Sequence, residues 1–211
     1  VEQFMNGSVP EGKKYRYFGI IKKNADKLLA LINELLSFRE LQSATLSLSS
    51  FCVRDAVANV VTRYEWQFED KGMTVSVDVP DSLSVDADRE KFDKILDNLL
   101  SNACKHCSDG DKVCILAGKD GEMLRLTVRD TGEGIPPDKL EHIFDRFFTV
   151  KSYDMYSSGV GLSHVKSLVE LHGGRVFASS EAGELTEIGF EIPLRSERRG
   201  DIRKSEGTSD A

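Results

Sequence analysis

Apolar residues recur along this chain with distinct periods, and each period marks a different kind of element. Between Lys13 and about Gln42, the residues Tyr17, Ile21, Asn24, Leu28, Leu31, Leu35 and Phe38 follow at alternating steps of four and three. That is the seam of a coiled coil, widened here by Ile20, Ile32 and Leu36. A helix of this length runs roughly 45 Å at about 1.5 Å per residue. It cannot bury such a stripe alone, so the pattern predicts partners in an antiparallel hairpin or a dimer bundle. Asn24 on the seam either fixes register or is a polar residue tolerated in a wide bundle. Ahead of it, "VEQFMNGSVPEG" reads as the frayed end of one element followed by a Gly/Ser/Pro turn.

After "LQSATLSLSS" the spacing changes. Residues 52–71 carry Val53, Val57, Val60, Val61, Tyr64 and Phe68 at helical intervals, and Gly72 ends the helix. "MTVSVDV" alternates as a half-buried strand does. Asp86 or Asp88 then caps a helix running to about Cys107. "KVCILAG" and "MLRLTVRD" are strands joined by the turn "KDGE". A glycine-rich "DTGEGIPP", a short helix around "DKLEHIF", and a helix from about Val160 to Leu171 follow, the last stopped by Gly173 and Gly174. "RVFASS" and "EIGFEI" close the series as strands.

The predicted order is strand, helix, strand, helix, two strands, helix, helix, two strands. Segregated strand pairs point to an α+β fold: a two-layer sandwich of a mixed, largely antiparallel sheet with helices on one face, preceded by the long coiled-coil-like helix. Residues 195–211, "RSERRGDIRKSEGTSDA", have almost no apolar content and read as a linker or disordered tail.

Composition narrows the function classes. With a net charge of −7, the 211-residue chain has no general basic footprint for nucleic acid or an anionic membrane surface. A phosphate site must therefore be built locally, from backbone amides, a few cations or a metal. No apolar run approaches a bilayer span, and the first residues lack the charged-then-apolar pattern of a signal peptide. The chain starts on Val1 rather than methionine, from which a longer parent protein is expected. Cys52, Cys104, Cys107 and Cys114 lie inside apolar patterns, as expected of reduced, buried thiols in the cytosol. A Cys104–His106–Cys107 metal site is excluded by geometry, because His106 lies roughly 200° around the helix from Cys104.

The helix "ILDNLLSNACKHC" (95–107) turns Ile95, Leu96, Leu99, Leu100 and Ala103 to one side and Asn98, Asn102 and Lys105 to the other. An asparagine amide oxygen is a hard ligand suited to Mg²⁺, and a lysine ammonium suits phosphate. A solvated face would give the same stripe. In "RDTGEGI" (129–135) an acidic residue ends a strand, and Gly132 and Gly134 let backbone approach a flat ligand. Asp130 can accept from an exocyclic amino group such as adenine's, although a tight turn shares this composition. "SSGVGL" (157–162) opens a helix whose first amides can bind an anion, or is a plain glycine N-cap.

Taken together and in this order, the motifs resemble the catalytic and ATP-binding domain of sensor histidine kinases, a fold shared with Hsp90-type ATPases. "NLLSNACKH" resembles the N box, "DTGEGI" the first glycine box, "FDRFF" (144–148) the F box and "GVGL" the second glycine box. "LVELHGGRV" and a closing "EIPL" match the family's end, and "NADKLLALINELLSFREL" resembles the second dimerisation helix of hybrid sensor kinases. The resemblance implies three parts: 1–45, part of the dimerisation region; 46–194, the ATP-binding catalytic domain; and the tail.

The resemblance also implies roles. Asn102 coordinates Mg²⁺ with Asn98 nearby, Lys105 contacts phosphate, and these three are the expected catalytic residues. His106 lies against the nucleotide and Asp130 reads the adenine amino group. Gly132, Gly134 and Ile135 border the nucleotide, and Gly159, Val160, Gly161 and Leu162 serve its phosphates. Phe144, Phe147 and Phe148 anchor, by packing, a mobile lid of about residues 149–158.

The implied partners are ATP, a dimerisation helix of the same or a partner subunit, and the receiver domain of a response regulator. No nucleic acid is implied. The parent is expected to be a membrane-anchored homodimer with this part in the cytoplasm.

Two departures stand out: Ser157 replaces the usual first glycine of the second box, and Leu185 precedes Thr186 where the family has glycine. The family's phosphoacceptor histidine lies on a first dimerisation helix represented here at most by "VEQFM". His106, His142, His164 and His172 all lie in other contexts, and His164 and His172 are expected as solvated or packing residues. Two rival functions are a degenerate, non-catalytic dimerisation and nucleotide-binding module, and an Hsp90-type ATP hydrolase. The hydrolases carry a glutamate base where this chain has Asn98, which cannot take a proton from water.

Overall fold

Asp88 starts the central helix. Its carboxylate accepts the Lys91 amide at 3.1 Å, the Lys91 ammonium at 2.7 Å and the Ser47 amide at 3.0 Å. Burial opposes ionisation of Asp88, but these hydrogen bonds outweigh it and hold the carboxyl below its usual range. Of the two aspartates that could cap this helix, Asp88 does so. Asp86 instead sits in a strand, where its amide donates to Leu194 O at 2.9 Å.

A computed structural model describes residues 17–19, 21, 25, 45–150, 159–181 and 183–195. Among them the elements run β1 (Leu48–Cys52), α1 (Val53–Asp70), β2 (Thr74–Asp78), β3 (Ser84–Asp88), α2 (Arg89–His106), β4 (Lys112–Asp120), β5 (Met123–Asp130), α3 (Pro137–Leu140), α4 (Gly161–Leu171), β6 (Arg175–Glu181) and β7 (Leu185–Pro193). Five strands form one sheet in the order β2-β4-β5-β7-β6. β2 and β4 are parallel, and the other neighbours are antiparallel. β1 and β3 pair as a separate antiparallel ribbon.

The periods explain the layers. Val113, Ile115 and Ala117 of β4, Leu124, Leu126 and Val128 of β5, and Ile188, Phe190 and Ile192 of β7 are buried. So are Phe92, Ile95, Leu96, Leu99, Leu100 and Ala103 of α2. Phe92 sits at the junction, edge-on to Phe190 at 5.7 Å and to Phe51 at 5.3 Å. This is the expected α+β sandwich.

Three expectations change in detail. β3 was not expected: it holds only Val85 and Ala87 as inward apolar residues, too few to register as alternation. The helix around "DKLEHIF" is limited to Pro137–Leu140. Val160 is the N-cap of α4, and the helix proper starts at Gly161. The coiled-coil seam and the tail lie almost wholly outside the described residues; 17–19, 21 and 25 are helical. Cys104 and Cys107 are buried, whereas Cys52 and Cys114 are half-buried, and all four are free thiols.

Candidate functional site

The polar stripe of α2 lies beside the start of α4. Asn98 Nδ2 donates to Lys94 O at 2.8 Å, so the Asn98 amide is oriented by its own helix. Its Oδ1 lies 3.1 Å from where a Cβ on Gly161 would stand. Asn102, one turn further on, is half-buried, and Lys105, the third member, is exposed. At the start of α4 the amides of Gly161, Leu162 and Ser163 precede the first intrahelical acceptor, Val160 O, which takes the His164 amide at 2.9 Å. Two amide oxygens, a cation and a helix N-terminus thus share one side of α2.

The glycine loop closes the other end. β5 delivers Asp130 as its last residue, only 5% exposed. Burial pushes its carboxyl above the usual range, while the Gly132 amide (3.0 Å), the His106 ring and the Cys107 thiol act against that rise. Cys107 is itself pushed up to about 12, by burial and then by the charge of Asp130, so its thiol stays protonated as a donor. Gly132 lies so close to the end of α2 that a Cβ there would stand 2.5 Å from His106 O. The Glu133 amide donates to that same carbonyl at 3.4 Å. Gly134 takes a positive φ of 78°. The Ile135 amide donates to Ser180 Oγ at 2.9 Å, and Ser180 shares a 3.0 Å hydrogen bond with Thr186.

The aromatic stretch backs onto the second glycine segment. The Phe147 amide donates to Gly159 O at 2.9 Å, and a Cβ on Gly159 would stand 2.6 Å from the Phe147 carbonyl carbon. Both residues have left-handed backbone, φ 62° at Phe147 and 69° at Gly159. Phe144 and Phe148 pack against the core as expected. Phe147 does not: it is 38% exposed, at a residue with left-handed backbone. Residues 151–158 of the expected lid, including Ser157, lie outside the described residues.

The structure therefore brings Asn98 of α2 against Gly161, and His106 at the helix's end against Gly132, which also meets Asp130, with Gly159 tied to Phe147; Ile135 belongs to the core and Leu162 packs against it. No cluster of three or more His, Cys, Asp or Glu side chains suited to a metal occurs among the described residues. An ion at this place would have amide oxygens, water and substrate phosphate to coordinate it, and Mg²⁺ usually keeps several waters and bridges to substrate phosphates. Sequence reasoning missed Ser180, Thr186, Cys107 and Glu133 as supports. Thr186 is the register partner of both Asp130 and Ser180, so these three stand in one row at the sheet's end. His172 is a packing residue, as expected. Its Nδ1–H donates to Leu168 O at 2.8 Å and its Nε2 accepts the Asp88 amide at 3.2 Å. Leu185, 38% exposed, begins β7, and nothing in the structure explains its replacing glycine.

The family described as histidine kinase-, DNA gyrase B-, and HSP90-like ATPase matches residues 87–196. An uncharacterised sensor-like histidine kinase of Rhizobium meliloti is 34% identical over 89% of this chain and 37% of its own length. Sensor histidine kinase YclK of Bacillus subtilis is 31% identical over 94% of this chain and 43% of its own. The chain thus spans well under half the length of these relatives. Among solved structures, full-length ShkA in complex with AMPPNP has a TM-score of 0.68 at 29% identity, covering 87% of this chain and 39% of that one. Histidine kinase ThkA in complex with the response regulator protein TrrA has a TM-score of 0.70 at 25% identity, covering 90% of this chain and 54% of that one. The chain belongs to the histidine kinase-, DNA gyrase B- and HSP90-like ATPase family, and within it has the fold of the catalytic, ATP-binding domain of sensor histidine kinases.

Proposed function

We propose that residues 46–194 bind Mg²⁺-ATP and present its γ-phosphoryl group to a histidine on a dimerisation helix, from which it passes to an aspartate of a receiver domain. The observation that carries this reading is the meeting of three separate segments: Asn98 against Gly161, and His106 against Gly132. Asp130 takes the hydrogen bond of the adenine amino group, and Gly132, Gly134 and Ile135 border the base. His106 lies against the nucleotide. Lys105 and the backbone at Gly159, Val160, Gly161 and Leu162 hold the phosphates. Asn102, with Asn98 beside it, holds the Mg²⁺, which neutralises developing phosphate charge when bound.

Phosphoryl transfer needs positioning and charge stabilisation rather than covalent help from the protein. That suits this site. Asn98, whose amide nitrogen donates to Lys94 O, offers no base for activating water, which favours transfer over hydrolysis. The alternating apolar spacing in the sequence between Lys13 and about Gln42 supports a homodimer through a helical bundle, and the polar sequence after residue 194 suits a linker toward a receiver. No helix among the described residues is long and apolar enough to cross a membrane. The reading places this part in the cytoplasm, on a parent anchored to the membrane elsewhere.

The test has two stages. Titration of the chain with Mg²⁺-ATP should show saturable binding, weakened at least about tenfold by Asp130→Asn, the cost of roughly one charge-assisted hydrogen bond. Incubation with labelled ATP and a polypeptide carrying the upstream helix should then yield acid-labile phosphohistidine. Equal binding by wild type and Asp130→Asn would overturn the adenine assignment. Binding without phosphohistidine would overturn the kinase reading.

A further inference from the structure

Glu133 lies between the two glycines of the loop, and two ties join it to one residue, His106. Its amide donates to His106 O at 3.4 Å, and its Oε1 accepts from His106 Nδ1–H at 3.0 Å. The side chains are 27% exposed at His106 and 36% at Glu133, so the bond sits at a rim, partly shielded from water. Gly132 presses the loop onto the same carbonyl. The loop cannot leave the end of α2 without breaking both ties. The imidazole hangs from the last residue of α2, next to Lys105 and one turn beyond Asn102.

We propose that Glu133 is a positioning residue for nucleotide binding: by accepting from Nδ1–H it locks the His106 ring in one orientation and leaves Nε2 as the polar edge offered to the nucleotide. The inference rests on the reading of this site as a nucleotide pocket. In a neutral imidazole, the hydrogen bond at one nitrogen decides the chemistry of the other. A donor Nδ1–H makes Nε2 an acceptor, suited to a hydroxyl of the nucleotide's sugar. A ring already held in place loses less rotamer freedom when the nucleotide arrives.

The experiment is calorimetric titration of the chain with Mg²⁺-ATP, paired with nitrogen-15 spectra of the His106 ring. Glu133→Ala should weaken binding about fivefold, the scale of a partly exposed charge-assisted hydrogen bond. Glu133→Gln, whose amide oxygen still accepts from Nδ1–H, should bind within about twofold of wild type. In a His106→Phe background, Glu133→Ala should change nothing further. The Nδ1-protonated signature should be present in wild type and lost in Glu133→Ala, with the thermal midpoint unmoved. Wild-type affinity in Glu133→Ala overturns the inference, as does an alanine effect that persists in the His106→Phe background or that glutamine fails to rescue. If Asp130→Asn weakens binding while Glu133→Ala does not, only this inference fails. If neither does, the assignment of the adenine to Asp130 fails with it.

Discussion

Replacing Gly132 with alanine tests the junction on which the site depends. The added methyl would stand 2.5 Å from His106 O and 3.0 Å from Asp130 Oδ1. Ordinary carbon–oxygen contact lies roughly 1 Å further out than the first of these. His106 O is backbone at the end of α2, so it cannot swing away as a side chain would. The loop must retreat instead. The Glu133 amide already reaches that carbonyl at 3.4 Å, near the limit of a hydrogen bond, and a retreat of this size breaks it. Overpacking of this kind costs about 1–3 kcal/mol, and the lost hydrogen bond adds about 1 kcal/mol. For a domain of this size that lowers the thermal midpoint by roughly 4–16 °C.

Affinity for Mg²⁺-ATP should fall at least about tenfold, since the same retreat carries Asp130 and the Gly132 amide out of register. Gly118→Ala is the matched control. It lies in β4 with nothing within 4 Å of its added methyl. Its stability should stay within about 0.5 kcal/mol of wild type, or rise slightly, because glycine is a poor strand former. Differential scanning fluorimetry and ATP titration of both variants decide the matter. A Gly132→Ala protein as stable and as tight-binding as Gly118→Ala would refute the argument that the loop is seated on the helix end.

Further outcomes follow from the supports of α2. Asp88→Ala removes the helix cap together with the Lys91 and Ser47 contacts, and should cost about 2 kcal/mol in urea unfolding, the upper range for a cap. His172 is buried and neutral, with its ionisation pushed below the ordinary value of 6.5 mainly by that burial. The unfolded chain therefore binds the proton first; the stabilisation is complete above 6.5 and is lost as pH falls below it. Urea midpoints of wild type should drop between pH 7 and 5, roughly the range set by an ordinary histidine, more steeply than those of His172→Gln. Burial raises the Asp130 carboxyl, so its charge at neutral pH opposes folding; Asp130→Asn should raise the midpoint of the nucleotide-free protein while weakening ATP binding. A midpoint at or below wild type would show that the Cys107 and Gly132 donors already compensate that charge in full.

What could be read from the sequence alone depended on whether one element carried the signal by itself. α2 was legible because seven buried residues repeat at helical spacing over eighteen positions, and β4 and β5 because their alternation runs long. β3 was not, since Val85 and Ala87 make too short a pattern and Asp86 and Asp88 read equally well as helix caps. Phe147 was placed with its aromatic neighbours because nothing local announces a left-handed backbone at a bulky residue. The site divides the same way. Asn98, Asn102 and Asp130 were visible as the wrong residue types for a plain face or turn.

Glu133, Ser180 and Thr186 were invisible, because each acts through a partner far away in sequence or on another strand: Glu133 through His106, Ser180 through Ile135 and Thr186 through Ser180. The glycines connect the two kinds of information. Gly132 and Gly159 are legible as residues lacking a β-carbon, but the atoms that forbid one, His106 O and the Phe147 backbone, appear only in the fold. A glycine inside a motif thus records that something comes close without saying what. Here the neighbour is the end of the helix that carries the asparagines, so the absent β-carbon at the loop and the amide side chain of Asn98 beside Gly161 express a single constraint: two segments far apart in sequence packed against one helix.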